Sequence, residues 1–455
     1  MVIKFGELFQ ENITRKKIKP SDDVVFIGMQ DVDENATIKE YSVTKYSELK
    51  SGFTYFEKND VLVAKITPCF ENGKGGFADS IPTDIGFGST EFHILRAADS
   101  ADPRYIYFQT KRPKLRLALE GEMVGSAGHR RVPFAALQNY ELEYRHSKAE
   151  QTTIANALSD VDNLIAALET LITKKSAIKT AAMQQLLTGK KRLPAFAGKS
   201  EKESESASGK MADSRGETQT AKPSSEFETS SNHNTDAANT NNQQIAPRPG
   251  YKHTELGEIP EDWEVKALGC IGESIIGLTY SPSDVADFGS LVLRSSNVQK
   301  NRLAFENNVF VNMDLPDRVI VRKGDILICV RNGSRQLIGK CALIDEKAAG
   351  SAFGAFMSIY RTEFSKFVFF QFQSNIIQNQ INEVMGATIN QITNKDMAGF
   401  KIPLPKTKEE QTAIANVLSD MDTELDALQQ RLSKTQKIKQ GMMQELLTGK
   451  TRLVK

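Results

Sequence analysis

Hydrophobic residues along the chain follow two different periods, and each period predicts its own kind of element. Two segments of about 40 residues carry apolar residues at steps of three and four, a spacing typical of helices that pack along one stripe. Short β-branched runs that follow turns, as in residues 59–63 and 324–328, predict strands. We therefore expect an α+β protein in which mixed α/β domains alternate with long helices.

The two helical segments are copies of each other. Residues 150–193 recur at 410–453 without a gap, and 24 of the 44 aligned positions are identical. Both copies open on Glu-Gln-Thr and close on Leu-Leu-Thr-Gly-Lys. Outside them the repetition is fainter, since residues 105–109 resemble residues 367–371. The chain is thus predicted to be an internal repeat of a domain followed by a long helix.

Each copy carries signals for the start and the end of a helix. Ser147 with Glu150, and Thr407 with Glu410, fit the capping box, in which a hydroxyl and a carboxylate bind the first free amides. Near the other end a glycine stands where a left-handed residue usually terminates a helix. These glycines are Gly189 and Gly449.

Within each long helix the apolar positions form a seam typical of a coiled coil. The seam residues are Ile154, Leu158, Val161, Ile165, Leu168 and Ile172 in the first copy, and Ile414, Leu418, Met421, Leu425, Leu428 and Leu432 in the second. Acidic residues dominate the first part of each helix and basic residues the last part, most clearly in the second copy. The two helices should therefore pack as an antiparallel coiled coil, which predicts a pseudo-two-fold relation between the halves.

The pattern divides the chain into five segments. Residues 194–250 are dominated by Ser, Glu, Thr, Asn, Lys and Ala, with few large apolar residues, so we expect a flexible low-complexity linker. The predicted segments are a first domain at 1–147, a first long helix at 148–193, the linker at 194–250, a second domain at 251–406 and a second long helix at 407–455.

Composition narrows the classes of protein that fit. The chain of 455 residues holds 58 basic and 57 acidic side chains, so its net charge alone does not indicate a nucleic-acid partner. The four cysteines lack a Cys-x-x-Cys spacing, and neither a zinc site nor a disulfide framework is suggested. No apolar run approaches the roughly 20 residues of a membrane span, and residues 1–7 lack the apolar run of a signal peptide. We expect a cytoplasmic protein that is not bound to a membrane.

With this organisation in place, the chain resembles the specificity subunits of type I restriction-modification enzymes. The resemblance rests on the two helix copies, on Gly-Asp-Ile-Leu at 324–327 and on residues 251–263, which look like the usual opening of a half in that family. It implies two target-recognition domains, each of which reads one half of a split sequence in double-stranded DNA. The long helices would set the spacing between the domains.

The resemblance also implies which chemistry the partners supply. Two modification subunits would bind this chain and methylate DNA with S-adenosylmethionine, and restriction subunits would translocate and cut DNA with ATP and Mg²⁺. This chain would hold none of these cofactors and would not be an enzyme.

Reading base edges requires Arg, Lys, Asn or Gln on surfaces that fit a groove. Such residues cluster in predicted loops of both domains. The candidates for DNA contact are Lys65, Asn72, Lys74, Arg130 and Arg131 in the first domain, and Arg331, Asn332, Arg335, Gln336, Asn390 and Gln391 in the second.

Two other functions remain open. Pro316-Asp317 followed by Asp345-Glu346-Lys347 fits a loose pattern for metal-dependent DNA cleavage. A structural coiled-coil adaptor without DNA contact would explain the helices but not the two domains. A DNA methyltransferase is disfavoured because the chain has no Pro-Pro pair for the loop that holds a flipped base.

Overall fold

The computed structural model describes residues 2–49, 51–126, 128–197, 247–385 and 390–453. They form two compact units, of which the first comprises Met1–Ile172 with Ala427–Lys455 and the second Thr173–Asp426. Each unit therefore contains one of the predicted mixed domains and parts of both long helices. Most of the predicted linker at 194–250 lies outside the described residues.

The first unit builds its sheets from short strands that turns connect. Its elements are β1 (Ile3–Lys4), β2 (Asp23–Ile27), β3 (Ser42–Lys45), β4 (Thr54–Glu57), β5 (Val61–Ala64), β6 (Gly75–Phe77), β7 (Ile85–Gly88), β8 (Phe92–Leu95), α1 (Pro103–Thr110), α2 (Pro113–Gly121), α3 (Phe134–Asn139), β9 (Glu141–Leu142) and the first long helix α4 (Lys148–Leu186). The strand orders are β3-β2-β7-β4, β6-β5-β8 and β1-β9. Only β2 and β7 run parallel among the described pairs of this unit.

The second unit repeats this plan with more strands. Its elements are β10 (Tyr251–Thr254), β11 (Gly257–Pro260), β12 (Glu264–Ala267), β13 (Glu273–Ile276), β14 (Val285–Ala286), β15 (Ser290–Leu293), β16 (Val298–Gln299), β17 (Arg302–Leu303), β18 (Phe310–Val311), β19 (Ile326–Cys329), β20 (Cys341–Leu343), β21 (Ala352–Phe353), β22 (Met357–Arg361), α5 (Ser365–Phe372), α6 (Asn375–Val384), α7 (Asn394–Gly399), β23 (Lys401–Leu404) and the second long helix α8 (Lys408–Leu446). Its two larger sheets have the orders β13-β22-β19-β20 and β14-β18-β15-β21. The predicted α+β class is confirmed.

The long helices run antiparallel within each unit, as the charge pattern predicted. In the first unit the start of α4 meets the segment that follows the end of α8, because Glu150 pairs with Arg452. Further along, Asp162 pairs with Lys439. Residue numbers rise along one helix as they fall along the other, which defines an antiparallel pair.

The same arrangement recurs in the second unit. Arg192, just after α4, binds Glu410 near the start of α8, and Lys179 binds Asp422 at 2.6 Å. None of the twelve predicted seam residues is exposed. The seam is therefore the face along which each helix packs.

The helix ends follow the predicted signals with one difference. The Ser147 amide donates to Glu150 Oε2 at 2.8 Å, and the Glu150 amide donates back to Ser147 Oγ at 3.3 Å. The Glu410 amide likewise donates to Thr407 Oγ1 at 3.3 Å, but the Glu410 carboxylate binds Arg192. Both terminal glycines adopt positive φ, at +69° for residue 189 and +75° for residue 449, which favours glycine there.

A buried glutamine in each unit joins the mixed domain to the end of a long helix. Gln109 Nε2 donates to the carbonyl of Leu447 at 3.2 Å in the first unit, and Gln371 Nε2 donates to the carbonyl of Leu187 at 2.9 Å in the second. The last carbonyls of a helix have no partner within it, so each glutamine satisfies one of them. This explains the faint repetition between residues 105–109 and 367–371.

Each unit has its own apolar core, to which both long helices contribute. In the first unit Phe5 and Phe108 lie in one cluster with Leu158 and Leu446. In the second, Trp263 and Phe370 lie in a cluster with Leu186 and Leu418. None of the helices in the described part of the chain combines the length and the apolar character that crossing a membrane requires.

Candidate nucleic-acid interface

The candidate loops follow a strand that is anchored in the same way in both units. Arg96 at the end of β8 forms a bidentate pair with Asp60 before β5, at 2.9 and 2.7 Å. Arg361 at the end of β22 forms the same pair with Asp325 before β19, at 2.8 and 2.7 Å. The predicted turn before each of these strands is thus held by an arginine of the neighbouring strand, which fixes where the strand and its following loop lie.

In the first unit the loop after β5 meets the segment before α3. The Thr67 amide donates to the Arg130 carbonyl at 2.9 Å, and the Val132 amide donates to the Lys65 carbonyl at 2.8 Å. Two segments that lie about 60 residues apart in the sequence are thereby brought together. The structure places Lys65, Arg130 and Arg131 in one neighbourhood.

The second unit joins the corresponding segments. The Asn332 amide approaches the Asn390 carbonyl at 3.4 Å, and the Ile392 amide donates to the Val330 carbonyl at 2.8 Å. Asn390 Nδ2 also donates to the Gly333 carbonyl at 3.1 Å. Arg331 also forms an antiparallel bridge with Gln391. The candidates of the two predicted loops, at 331–336 and 390–391, therefore share one surface.

A third segment, which the sequence pattern did not indicate, reaches both surfaces. In the first unit Lys74 Nζ donates to the carbonyl of Met29 at 3.1 Å. In the second, Asn332 Nδ2 donates to Ser295 Oγ at 3.4 Å. Residues 28–31 and 294–297 are equivalent turns that follow β2 and β15. Each candidate surface is thus formed by three segments instead of two.

The two turns share one geometry. The Gly28 amide donates to Asp31 Oδ2 at 2.6 Å, and the Arg294 amide donates to Asn297 Oδ1 at 3.0 Å. An Asp or Asn four residues after the last residue of an apolar strand is therefore the sequence signal that could have revealed this segment.

The residue that accepts from the loop backbone also differs between the units. The Lys65 amide donates to the Glu91 carbonyl at 2.9 Å, whereas the amide of Val330, the equivalent residue, donates to the Phe356 carbonyl at 3.1 Å. Phe356 is 58% exposed, and the Arg331 guanidinium lies 5.4 Å from its ring centroid. The same backbone framework thus displays an acid in one unit and an aromatic ring in the other.

Charge is distributed differently on the two surfaces. Arg131 binds Glu91 in a bidentate pair at 2.9 and 2.8 Å, and this hydrogen bonding lowers the pKa of Glu91. Arg130 lies 3.5 Å from Glu71. The first surface therefore neutralises its own arginines.

On the second surface, carboxylates of the described residues do not neutralise the charges of the arginines. Arg331 pairs with no carboxylate in the part of the chain that the structure describes. Arg335 Nη2 donates to the carbonyl of Asn382 at 3.2 Å. The second surface is better suited to bind phosphate or base acceptors directly.

The remaining candidates lie at the edges of these surfaces. Asn72 and Gln336 are exposed, Asn72 in the loop after β5 and Gln336 in the short turn Arg335–Leu337. Arg116 fixes the backbone of the loop that carries Asn72, because it donates to the carbonyls of Phe70 at 2.8 Å and Gly73 at 3.0 Å. Burial lowers the pKa of Arg116 to about 10.

The residues of the nuclease hypothesis are engaged in ordinary local contacts. Asp345 Oδ1 accepts the Ala348 amide at 3.0 Å in a turn, and Glu346 pairs with Lys323. In the described ranges, no three His, Cys, Asp or Glu side chains form a group that could hold a metal ion. These contacts give the nuclease hypothesis no support.

Comparisons with known proteins agree on one family. The model of the type I restriction modification DNA specificity domain matches residues 1–179 and 260–440. The EcoAI specificity subunit of Escherichia coli is 35% identical over 133 residues, which cover 28% of this chain and 23% of that protein. The MjaVIII specificity subunit of Methanocaldococcus jannaschii is 28% identical over 211 residues, 45% of this chain and 49% of that one. The chain thus spans about a quarter of the length of the first relative and about half of the length of the second.

Solved structures share the fold over the whole length. A type I restriction-modification S subunit from M. genitalium aligns with a TM-score of 0.53 and 16% identity, covering 98% of this chain and 95% of that one. A chain from a study of type I complex assembly aligns with a TM-score of 0.50 and 14% identity, covering 99% and 98%. At these identities the likeness establishes the fold.

Proposed function

The chain belongs to the type I restriction modification DNA specificity family, and from this membership we propose that it is the subunit that reads the DNA target of a type I restriction-modification complex. Each unit reads one half of a bipartite sequence in double-stranded DNA. The long helices set the separation of the two half-sites. The subunit binds two modification subunits and also restriction subunits, and it works in the cytoplasm.

One observation carries the proposal for sequence reading: the two units display different side chains on one shared three-segment framework. Thr67 and Arg130 of the first unit correspond to Asn332 and Asn390 of the second, as the matching backbone hydrogen bonds define. A scaffold that is constant in its backbone and variable in its polar side chains suits recognition of two different base sequences. A purely structural adaptor would not require such loops.

Docking of partner subunits is supported by apolar side chains that the long helices leave exposed. Leu164 and Leu171 of α4 are 39% and 38% exposed, and they are seven residues apart on one face. Ile438 of α8 is exposed as well. Such side chains on a helix that already packs through its seam favour binding of further helices.

The chemistry belongs to the partners in this proposal. The modification subunits hold S-adenosylmethionine, the restriction subunits hold ATP and Mg²⁺, and this chain alone is not an enzyme. Incubation of the purified chain with DNA and S-adenosylmethionine should transfer no methyl groups, and methylation should appear when the modification subunits are added. Methyl transfer by the chain alone would contradict the assignment.

The experiment that tests sequence reading replaces two arginines of the second surface. R331A/R335A, assembled with its modification subunits, should relax recognition in one half-site and leave the other unchanged. Each lost bidentate base contact reduces discrimination by about 1–3 kcal/mol. The methylated positions would be mapped across a genome or a randomised plasmid library for the variant and the wild type.

The first surface supplies the matched control. R131A should not affect the half-site that R331A/R335A relaxes. Any change should be confined to the half-site of the first unit, where the Arg131 guanidinium is already paired with Glu91. If R331A/R335A relaxed both half-sites together, or if the wild-type complex methylated no defined bipartite target, the proposed function would be wrong.

A further inference from the structure

Two buried polar atoms of the second unit have no hydrogen-bond partner among the described residues, and they lie two residues apart. They are Nε of Arg294 and Oγ of Ser296. Buried donors in folded proteins almost always have an acceptor, and an arginine nitrogen without one destabilises the free chain. The second unit satisfies other arginines, since Arg192 and Arg361 each bind a carboxylate. The exception at Arg294 therefore needs its own explanation.

The turn that carries Arg294 is rigid. Asn297 is completely buried, and its side chain accepts the Arg294 amide at 3.0 Å. The same side chain donates to the carbonyl of Ala304 at 2.9 Å and to Asn308 Oδ1 at 3.2 Å. The Arg294 carbonyl in turn accepts the Asn297 amide at 2.9 Å. The backbone of Arg294 is thus fixed before any ligand arrives, as precise recognition requires.

Arg294 also stands beside the second candidate surface. Its neighbour Ser295 accepts from Asn332 at 3.4 Å. A Cβ added to Gly354 would lie 3.9 Å from Arg294 Cγ, and Gly354 is two residues from the exposed Phe356. The arginine stem therefore lies between the turn and the residues that surround Arg331.

We propose that Arg294 is a specificity-determining residue that reads a guanine in the second half-site. This inference rests on the proposed function and extends it to a residue and a base. Guanine presents O6 and N7 in the major groove, an acceptor pair that matches the two parallel N–H groups of a guanidinium fork. Because Nε of Arg294 is buried in the free chain, the side chain must turn outward to reach the base, and the acceptor pair then satisfies the nitrogen that the free chain leaves unpaired.

The first unit has no counterpart for this contact. The equivalent position is Gly28, which carries no side chain, and a Cβ there would lie 2.4 Å from Gln30 Nε2. The reading by Arg294 is consequently confined to the half-site of the second unit. The two half-sites should differ at the corresponding position.

The test compares three variants, each assembled with the modification subunits and each mapped for methylated positions on a randomised target library. R294A should lose guanine preference at one position of the second half-site by about 5- to 150-fold. R294K should lose most of that preference too, because an ammonium lacks the fork. R322A is the matched control, since Arg322 is exposed and precedes β19 whereas Arg331 follows it; its target should be unchanged.

Unfolding of R294A, followed by tryptophan fluorescence, should show a midpoint no lower than that of the wild type, because the variant removes an unpaired buried donor. A lower midpoint with loss of both half-sites would assign Arg294 a structural role and overturn the proposal. An even loss of methylation at all sequences would indicate a phosphate contact and would overturn it as well.

Failure of this inference can be told apart from failure of the proposed function. If R294A behaved like R322A while R331A/R335A relaxed the second half-site, only the role of Arg294 would be refuted. If no variant and not even the wild type recognised a bipartite target, the proposed function itself would fail.

Discussion

The ion pair between Arg192 and Glu410 should be one of the strongest single contacts in the second unit, and its counterpart in the first unit provides a measure of how much burial matters. Arg192 binds the Glu410 carboxylate at 2.8 and 2.6 Å. The side chains are only 13% and 2% exposed. In the first unit Arg452 binds Glu150, and those side chains are 48% and 10% exposed. The two pairs therefore share chemistry and differ in access to water.

Removal of the arginine should cost different amounts in the two units. R192A leaves the Glu410 carboxylate buried with Trp263 Nε1 as a donor at 3.3 Å, and loss of one partner of a buried pair costs about 3–5 kcal/mol. R452A removes an exposed partner, which costs about 1 kcal/mol or less. With an m value of about 3 kcal/mol/M, a loss of 3 kcal/mol lowers the midpoint in urea by about 1 M.

The assay uses the one tryptophan of the chain as a reporter. Trp263 is fully buried in the second unit and contacts Glu410 directly, so its fluorescence follows that unit. R192A should lower the urea midpoint of the fluorescence transition. R452A lies in the first unit, so it should leave the fluorescence transition unchanged, and its smaller loss of stability is measured by the circular dichroism of the whole chain. The double variant R192A/E410Q should recover part of the loss, because it removes the uncompensated charge.

A shift in the circular-dichroism midpoint for R452A as large as the fluorescence shift for R192A would refute this reasoning, as would an R192A fluorescence transition that does not move. A double variant that was no more stable than R192A would show that the buried charge is not the cause of the loss.

Two further predictions concern other contacts within single units. The pKa of Glu143 would be raised by its burial, but hydrogen bonds led by that from Arg112 outweigh this effect and lower it to about 2. The ion pair between Arg112 and Glu143 therefore contributes at most about 3 kcal/mol of stability above pH 4.5, and this contribution is lost as the pH falls towards 2. E143Q should flatten this part of the curve of unfolding free energy against pH. An unchanged slope would contradict the assignment. Q371L should leave the Leu187 carbonyl buried without its donor and destabilise the second unit by about 1–3 kcal/mol in the fluorescence assay, whereas Q109L, in the first unit, should leave that transition where it is.

Much of the fold could be predicted because its strongest signals are local. The seam, the capping residues and the terminal glycines act within a few turns of helix, and the sequence repeats them at 150–193 and 410–453. The antiparallel packing followed from charge alone, and the pair between Asp162 and Lys439 confirms it. The membership of the specificity family, which the resemblance indicated, is likewise confirmed.

The candidate site could be predicted only in part, because its geometry depends on contacts that are distant in sequence. Residue type identified Arg131 as a candidate, but nothing near it in the chain indicates that Glu91 neutralises it. The turn of Arg294 was missed because one polar residue after a strand resembles any loop. Phe356 was missed because an aromatic residue beside a strand is usually predicted to lie in a core. The DNA contacts themselves remain predictions.

The apolar core of the first unit includes Leu446 and Leu447 together with Phe5 and Leu158, which has a consequence for how the protein is made. A ribosome must translate about 300 further residues after the first mixed domain before this core can close. At 5–20 residues per second this takes about 15–60 s. Throughout that interval the nascent chain exposes the apolar surface that the end of α8 will cover, and the first unit is then most prone to aggregate.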